Sequence, residues 1–255
     1  MKHLILSILV LLSSTTYAVA GKCFTDKPAT EPISQSLPRF EKLQVGPLVN
    51  VVLQEGETEH IRIEYEGVSP EKINYFVKGN KLSIYLDDAK FTVKSEEVVK
   101  DGHSQKLPVY RDVKITAYVT YTNLKSIQIS GEETLSCDDA LSSKKFRIRQ
   151  FGETRVELAS LETGRLKVQS FGENRLTIRN GVSNVQSYRL FGENRINTEN
   201  MAGYKISTSM FGESSLNVYA SDEISLWAFG EVKMQYSGDP QLNRFVLGVS
   251  SINKR

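Results

Sequence analysis

A tripeptide that returns at a fixed interval dominates the C-terminal half of this chain. The sequence Phe-Gly-Glu occurs five times, and successive glycines are 20, 20, 20 and 18 residues apart. An imperfect copy, Ser130-Gly131-Glu132, precedes the first by 21 residues. A fixed period of this length is typical of repeat architectures, in which each unit buries its apolar face against its neighbours. The glycines predicted to mark the bends are Gly131, Gly152, Gly172, Gly192, Gly212 and Gly230.

Side chains on both sides of each glycine alternate between apolar and polar, which is the pattern of half-buried strands. Four residues after the glycine, the column reads Val156, Leu176, Ile196, Leu216 and Met234. Four residues before the glycine, it reads Ile148, Val168, Tyr188, Thr208 and Leu226. In phase with these columns, two residues after the glycine, stand polar side chains that we expect to form an internal hydrogen-bonding ladder: Thr154, Asn174, Asn194 and Ser214.

Two all-β folds satisfy this pattern. In a parallel β-helix, or solenoid, each unit is one coil of about 20 residues, and like residues stack about 4.8 Å apart. In an antiparallel meander, Gly-Glu lies at the centre of a type II′ turn and each unit is a hairpin. Repetition of Phe, Asn and Arg at equivalent positions is useful where like residues stack, so the sequence favours the β-helix.

The N-terminus has the pattern of an export signal. An apolar run from Leu4 to Leu12 is followed by the small residues Ala18-Val19-Ala20, which predicts a secretory signal peptide over residues 1–20. The run is too short to span a bilayer, and we expect no transmembrane segment after the signal is removed. Lys22 stands before Cys23, where a lipidated cysteine requires a small residue, so a lipoprotein is disfavoured. We expect an exported protein, periplasmic or extracellular.

Three further segments follow the signal peptide. Residues 21–37 contain two prolines and predict a flexible leader. Residues 38–121 alternate in the manner of strands and predict a β-rich part that abuts or caps the stack. Within that part, the polar stretch from Lys94 to Lys106 is expected to be an exposed loop. Residues 122–255 form the Phe-Gly-Glu repeat stack.

Several loose motifs occur in a characteristic order along most of the mature chain. They are Phe40-x-x-Leu43, Val49 to Gly56, Val77 to Ile84, Ile129-Ser130-Gly131 and Tyr236-Ser237-Gly238-Asp239-Pro240. Together they resemble the secreted head GIN domain family, sometimes labelled as autotransporter adhesins, over residues 40–252. The resemblance implies a right-handed parallel β-helix and an adhesin-like role, and it transfers no catalytic residue. This chain departs from the family in having Phe-Gly-Glu where Gly-Ser-Gly-like bends are usual.

A column of acidic residues directly follows the bend glycines, and stacking would bring like charges together. These acids are Glu153, Glu173, Glu193, Glu213 and Glu231. Two residues further on, compensating cations stand at Arg155, Arg175, Arg195 and Lys233. The favoured interpretation is an exposed acid–base zipper worth a few tenths of a kcal/mol per pair. The alternatives are a charged stripe that binds a polyanionic or glycan ligand, or carboxylates that collect Ca²⁺ between coils.

A column of phenylalanines directly precedes the same glycines. Stacked aromatic side chains inside a solenoid are ordinary core, and each would contribute roughly 1.5–3 kcal/mol on burial. We therefore predict that this column faces the core. The alternative is an outward apolar strip suited to sugar faces or to a protein partner. The column consists of Phe151, Phe171, Phe191, Phe211 and Phe229.

Composition and motif searches argue against several functional classes. With 32 basic and 30 acidic residues the formal net charge is +2, and no basic run is present, so nucleic acid is not an expected partner. Two cysteines and three histidines are too few for a structural zinc site. Cys137 aligns with an apolar column and is expected to be buried. The sequence does not decide whether it forms a disulfide with Cys23.

The sequence therefore predicts a non-enzymatic binding or structural module of the cell envelope. No catalytic, cofactor-binding or metal-ligating residue is predicted, and no histidine falls in the repeats. An envelope protein or a glycan is the expected partner, while the oligomeric state is left open. The alternative function is a carbohydrate-active enzyme, a polysaccharide lyase or hydrolase, which would need carboxylates that converge in a groove.

Overall fold

The fold is taken from a computed structural model, which describes residues 31–100 and 103–255. The predicted signal peptide, residues 21–30 of the leader and Cys23 lie outside the described residues. The described part is β-structure apart from one short 3-10 helix, Pro70–Lys72. Its strands are β1 (Ile33–Ser36), β2 (Lys42–Val45), β3 (Asn50–Glu55), β4 (His60–Glu66), β5 (Ile73–Lys78), β6 (Lys81–Leu86), β7 (Ser95–Lys100), β8 (His103–Pro108), β9 (Lys114–Tyr121), β10 (Ser126–Gly131), β11 (Thr134–Gly152), β12 (Arg155–Thr198), β13 (Met201–Tyr219), β14 (Glu223–Ser237) and β15 (Gln241–Lys254).

The repeats form a parallel β-solenoid of about six turns, as the sequence predicts. Each strand from β10 to β15 pairs in parallel with the next one, and the register is one coil. Gly131 therefore lies beside Gly152, and Phe151 beside Phe171. An antiparallel meander would pair each strand with its own continuation across the bend, so the parallel register excludes that alternative.

The predicted apolar columns form the core of the solenoid. Val156 and Leu176 on one side of the bend, and Ile148 and Val168 on the other, have no exposed surface. The connectors between units are also paired, as in Gly181 beside Met201, and they supply a third side to each coil. The core is thus a continuous column that runs the length of the stack, because equivalent residues of successive coils cover one another.

The bends need glycine for two reasons. Gly172 has a φ of +107°, a conformation that side chains with a Cβ atom rarely adopt. A Cβ atom built there would also lie 2.3 Å from the carbonyl oxygen of Gly152 in the preceding coil. A further bend, which lacks the tripeptide, occurs at Gly248 with a φ of +129°. β15 is therefore one more coil of the same solenoid.

The N-terminal part belongs to the same sheet as the repeats, and its order in space differs from its order in the chain. The β2–β3 coil lies between two later coils, because β2 pairs with both β6 and β10. β3 likewise pairs with both β9 and β11. The first coil of the chain is thus the second coil of the stack.

Antiparallel strands close the N-terminal end of the solenoid. β5 pairs with β6, while β4 pairs with β9 and β1 pairs with β4. β1 falls within residues 21–37, which the sequence assigns to a leader. Its residues are mostly exposed and only Ile33 packs in part against the core, so its position depends mainly on backbone pairing with β4.

The stretch predicted as an exposed loop between Lys94 and Lys106 is instead a hairpin. β7 and β8 pair antiparallel and form a separate two-stranded sheet. The prediction was wrong because both strands are rich in polar and charged residues, whereas sequence patterns detect the alternation of apolar and polar residues. Backbone pairing and polar side-chain contacts, such as the hydrogen bond from Ser104 to Glu97, hold the hairpin together.

Candidate functional site

The predicted charged stripe lies on the outer surface, just past the bends. Its glutamates and basic residues are exposed. Those from Glu153 to Arg195 line a shallow groove together with Glu132 and Thr134. The remaining three, Glu213, Glu231 and Lys233, line a second groove that adjoins the first at Glu193 and Arg195. Arg195 donates to Glu193 at 2.9 Å, and Lys233 lies 2.9 Å from Glu231. The stripe is therefore a column of acids beside a column of basic residues, and these two ion pairs form within one strand.

A buried polar ladder lies directly behind the stripe. Asn174 Oδ1 accepts from Thr154 Oγ1 at 2.8 Å and from the Thr154 backbone nitrogen at 3.1 Å. Asn174 Nδ2 donates to Asn194 Oδ1 at 3.3 Å. Gln150 adds donors to Thr154 Oγ1 and to a backbone carbonyl. These side chains are buried, so the expectation of an internal ladder agrees with the structure.

The phenylalanine column faces outward, and the prediction that it belongs to the core was wrong. Phe191 and Phe211 are 36% and 39% exposed, and neighbouring rings in the column stack at 5.0–5.3 Å with planes within 5°. We call this column the phenylalanine ladder. Each inner ring has both faces covered by its neighbours, so the ladder presents ring edges to solvent. It therefore offers few free ring faces for a sugar to stack on.

A second outer surface, on the strands that precede the bends, is strongly basic. It is a shallow groove whose lining contains cations from several coils and no acidic residue. We call it the basic face and define it by Lys42, Lys81, Lys125, Lys145, Arg147, Arg149, Arg165 and Lys167. Glu41 reaches its edge and pairs with Lys125 at 2.5 Å.

Strand register arranges these cations in rows across the stack. Lys42 lies beside Lys81, and Arg147 lies beside Lys167 in the next coil. A parallel row brings Lys145 beside Arg165. Neighbouring coils are separated by about 4.8 Å. Negative charges that recur along a ligand at a similar spacing would therefore each lie near a cation of the row.

The cations of the basic face influence one another. The pKa of Lys167 lies below its ordinary value because of partial burial and because of the nearby cations Arg189, Arg147 and Arg149. Arg149 donates a hydrogen bond to Gln128, and Lys81 donates to Gln44. These neutral acceptors orient the cations without cancelling their charge. Apart from Lys125, which pairs with Glu41, the face therefore keeps its positive charge and a positive potential.

Sequence reasoning missed the basic face because no run of Lys and Arg encodes it. Its cations alternate with buried residues, as in Lys145-Phe146-Arg147-Ile148-Arg149, and come from separate units. A signal was nevertheless present in the glycine alignment. Seven and five residues before Gly152 and Gly172, both units carry a cation, at positions out of phase with the apolar columns.

Two buried ionisable side chains, Cys137 and Tyr121, lie among the apolar residues of the core. Cys137 is 1% exposed in the column of Leu158, which agrees with the predicted burial. Its thiol lies 3.5 Å from the hydroxyl of Tyr121, and burial raises the pKa of both groups. Among residues 31–100 and 103–255, no group of three or more His, Cys, Asp or Glu side chains is placed to hold a metal ion.

Comparison with solved structures agrees with this fold. A "putative adhesin" from Bacteroides fragilis matches with a TM-score of 0.67 and 19% identity, over 88% of this chain and 96% of that one. Structures with the same description from Parabacteroides merdae and Parabacteroides distasonis give TM-scores of 0.63 and 0.60, at 15% and 14% identity. They cover 88% of this chain and 95% and 96% of theirs. At such identities the likeness shows the fold alone.

Family comparison goes further. No curated protein matches the chain in sequence. The family described as "Putative auto-transporter adhesin, head GIN domain" matches residues 39–240, which agrees with the resemblance noted in the motifs. Its name implies export to the cell surface, and no helix within the described residues is long and apolar enough to cross a membrane. Since the match spans most of the chain, this protein belongs to the head GIN domain family.

Proposed function

We propose that this protein is an exported, non-enzymatic binding module of the cell envelope, and that its basic face holds an anionic glycan. The observation that carries the proposal is the basic face itself, where eight cations line one groove without an acid. In a chain whose net charge is only +2, this is a strong local separation of charge. Such a surface attracts polyanions and raises their association rate.

The arrangement of the cations favours a linear ligand over a small anion. The cations are spread in rows over several coils and do not converge on one point. A polymer with one carboxylate or sulfate on each sugar could engage several rows at once, and many weak contacts would add up. Glycans are favoured over nucleic acid because the family name implies a cell-surface protein.

In this proposal the charged stripe is not the ligand-binding surface. Four of its five acids have a basic residue two positions further on the same strand, as in Glu193 with Arg195, so most of its charge is compensated locally. We assign it to charge compensation within the stack, as in the favoured interpretation of the sequence. The enzyme alternative has no specific support, because the stripe's carboxylates follow one another along the stack and do not face each other across a cleft.

Binding to defined polymers tests the proposal. We expect the mature protein to bind polygalacturonate and heparin, and not neutral dextran, with an affinity that falls as salt is raised. The double variant Arg147→Glu/Lys167→Glu should weaken binding by about tenfold or more, since two adjacent contacts become repulsive. Biolayer interferometry against immobilised polymers over a range of salt concentrations measures both effects.

The matched control reverses two exposed cations that lie outside the basic face. Lys90→Glu/Lys114→Glu makes the same change in net charge and should leave the affinity within about twofold. An equal loss in both double variants would contradict a local site. Tighter binding of duplex DNA than of either acidic glycan would contradict the ligand class. Shortening of the polymer during incubation would favour the enzyme alternative.

A further inference from the structure

The C-terminal end of the solenoid presents a long unpaired strand edge. β15 pairs with β14 along its whole length, and within the described residues no strand pairs with its other edge. Apolar side chains are exposed on it, with Phe245 at 44%, Leu247 at 54% and Val249 at 71%. A long edge strand with exposed apolar residues readily pairs with another chain unless something covers it.

The core of the solenoid is also open at this end. Even-numbered residues of β15 continue the inward columns, since Leu242 lies beside Ile224 and Ile252 beside Met234. Leu242, Val246 and Ile252 are only partly buried, whereas the residues that they cover are fully buried. The last coil has therefore a neighbour on one side only, and a further layer would complete its burial.

The other end of the solenoid differs in structure. There the antiparallel strands β5, β4 and β1 cover the parallel coils. A head-to-tail assembly would have to join unlike surfaces, an open parallel edge and a capped end. Contact between two identical C-terminal ends instead closes on itself as an isologous dimer with a two-fold axis.

The geometry of β15 suits such an axis. Its bend at Gly248 divides the strand into arms of similar length, Gln241–Leu247 before the bend and Val249–Lys254 after it. A two-fold axis through Gly248 that bisects the bend exchanges the two arms. It lays each arm of one copy antiparallel on the opposite arm of the other copy, and it keeps inward residues opposite inward residues.

Side chains that this register brings together are compatible. Leu247 of each copy meets Val249 of the other on the outer surface, so the most exposed apolar residues cover each other. Asn243 meets Asn253, which allows amide hydrogen bonds. Inside, Arg244 meets Ile252, and its aliphatic stem can pack on the apolar side chain.

Charge also permits the contact. β15 and the following Arg255 carry three cations and no acid. Lys254 is paired with Asp239 at 2.8 Å, and Arg255 is paired with Glu199 in the same chain. Arg244 has no ion pair within the described residues, and in this register it lies far from Arg244 of the second copy. No cation faces a cation across the dyad.

We propose that two copies of this chain associate through β15, edge to edge and antiparallel about Gly248, to form a closed dimer. The contact continues the sheet across the dyad and adds a covering layer over both open cores. The two basic faces lie on the far sides of this junction, so the dimer leaves them free. The proposal is independent of the ligand assigned above.

Solution mass tests the association. We expect light scattering after size exclusion to give twice the chain mass for the mature protein at micromolar concentration. Leu247→Lys/Val249→Lys places lysines opposite lysines across the dyad and should weaken the dimer by about a hundredfold or more. Both side chains are exposed, so the monomer should keep its fold and its circular dichroism spectrum. Val182→Lys/Tyr204→Lys, two residues 46% and 54% exposed elsewhere, is the matched control and should stay dimeric.

Crosslinking tests the register. In a Cys23→Ser background, Asn243→Cys/Asn253→Cys should give a disulfide-linked dimer under oxidation, while either single variant should not. A monomer at all concentrations would overturn the proposal. So would a polymer that grows with concentration, or a dimer that is unaffected by the lysines and not trapped by the cysteine pair.

Discussion

Asn174 is the residue on which the internal polar ladder depends most. It accepts two hydrogen bonds from Thr154 and donates one to Asn194, all in a buried environment. Because these groups are buried, a group that loses its hydrogen-bond partner cannot bond to water instead, and its desolvation is uncompensated. The ladder therefore fixes the register of successive coils as well as their stability.

Replacing Asn174 by alanine should therefore be costly. Asn174→Ala leaves the backbone N–H of Thr154 and the side-chain Oδ1 of Asn194 without these hydrogen bonds. We expect a loss of about 2–4 kcal/mol in the free energy of unfolding. Chemical denaturation measures it. Asn180→Ala, at an exposed asparagine of the same solenoid, should change stability by less than about 0.5 kcal/mol. Equal effects of the two substitutions would contradict a buried ladder.

Glu133 begins the same column in the first repeat unit. Its carboxylate accepts from the backbone nitrogens of Leu48 and Glu132, each at 2.7 Å. Burial nevertheless raises the pKa of Glu133 above its ordinary value, more strongly than the hydrogen bonds lower it. The folded state thus favours the protonated acid, and its contribution to stability is present below the unfolded pKa of about 4.3.

That contribution should be lost as the pH rises through the folded pKa of Glu133. We expect the stability of the wild type relative to Glu133→Gln to fall as the pH rises above the unfolded pKa of about 4.3, because glutamine does not titrate. Urea denaturation at a series of pH values gives the difference directly. A difference that is constant or grows with pH would show that burial does not control this carboxyl.

The inward polar residues could be predicted from the sequence because they share the phase of the apolar columns. The phenylalanines could have been placed by the same rule. They stand one residue before the glycine, out of phase with the inward positions, and hydrophobicity was given more weight than phase. The basic face was missed for the opposite reason, since outward residues such as Arg147 and Lys167 follow no hydrophobic signal.

The phenylalanine ladder links neighbouring coils from outside the core. Phe191 stacks on Phe171 and on Phe211, each at 5.0 Å, whereas Phe151 at the end of the ladder has only Phe171 as a ring partner. Aromatic pairs contribute about 0.5–1.5 kcal/mol beyond the burial of their area. Each inner ring therefore stabilises two coil interfaces at once.

A comparison of the two positions measures this coupling. Phe191→Ala should reduce the free energy of unfolding by about twice as much as Phe151→Ala, since it removes two ring contacts where the other removes one. Thermal and chemical denaturation of the two variants, with the double variant as a test of additivity, gives the ratio. A larger loss at Phe151 would show that burial against the backbone, and not ring stacking, sets the cost.

The course of the N-terminal coils could not be predicted from local pattern. Alternation identifies β3, β6 and β9 as strands, but all are apolar on one side and could stack in chain order. The β2–β3 coil lies between later coils because its two edges accept both the β6–β9 coil and the β10–β11 coil. Nothing within a single strand encodes which neighbours it will have.

For the molecule as a whole, the period predicts which deletions the fold can accept. Removal of residues 173–192 joins Gly172 to Glu193 and leaves every column in phase. Since stability in a solenoid is roughly the sum of coils and their interfaces, this variant should fold cooperatively with a modest loss of stability. Circular dichroism and a single thermal transition would show it.

Removal of residues 173–193 differs by one residue and provides the control. It shifts every later side chain to the opposite face of its strand, which sends the inward columns to solvent. We expect this variant to be insoluble or to lack a cooperative transition. Similar folding of both deletions would mean that the repeat period does not determine packing.

The position of the β2–β3 coil also decides how the molecule would respond to force. The last coils follow one another in chain order, so tension on the C-terminus can peel them off singly, each releasing on the order of 70 Å of extended chain. The β2–β3 coil is held along both edges and would have to be sheared from two neighbours together. Under load, the C-terminal coils would act as an extensible tether, while the N-terminal coils would stay folded.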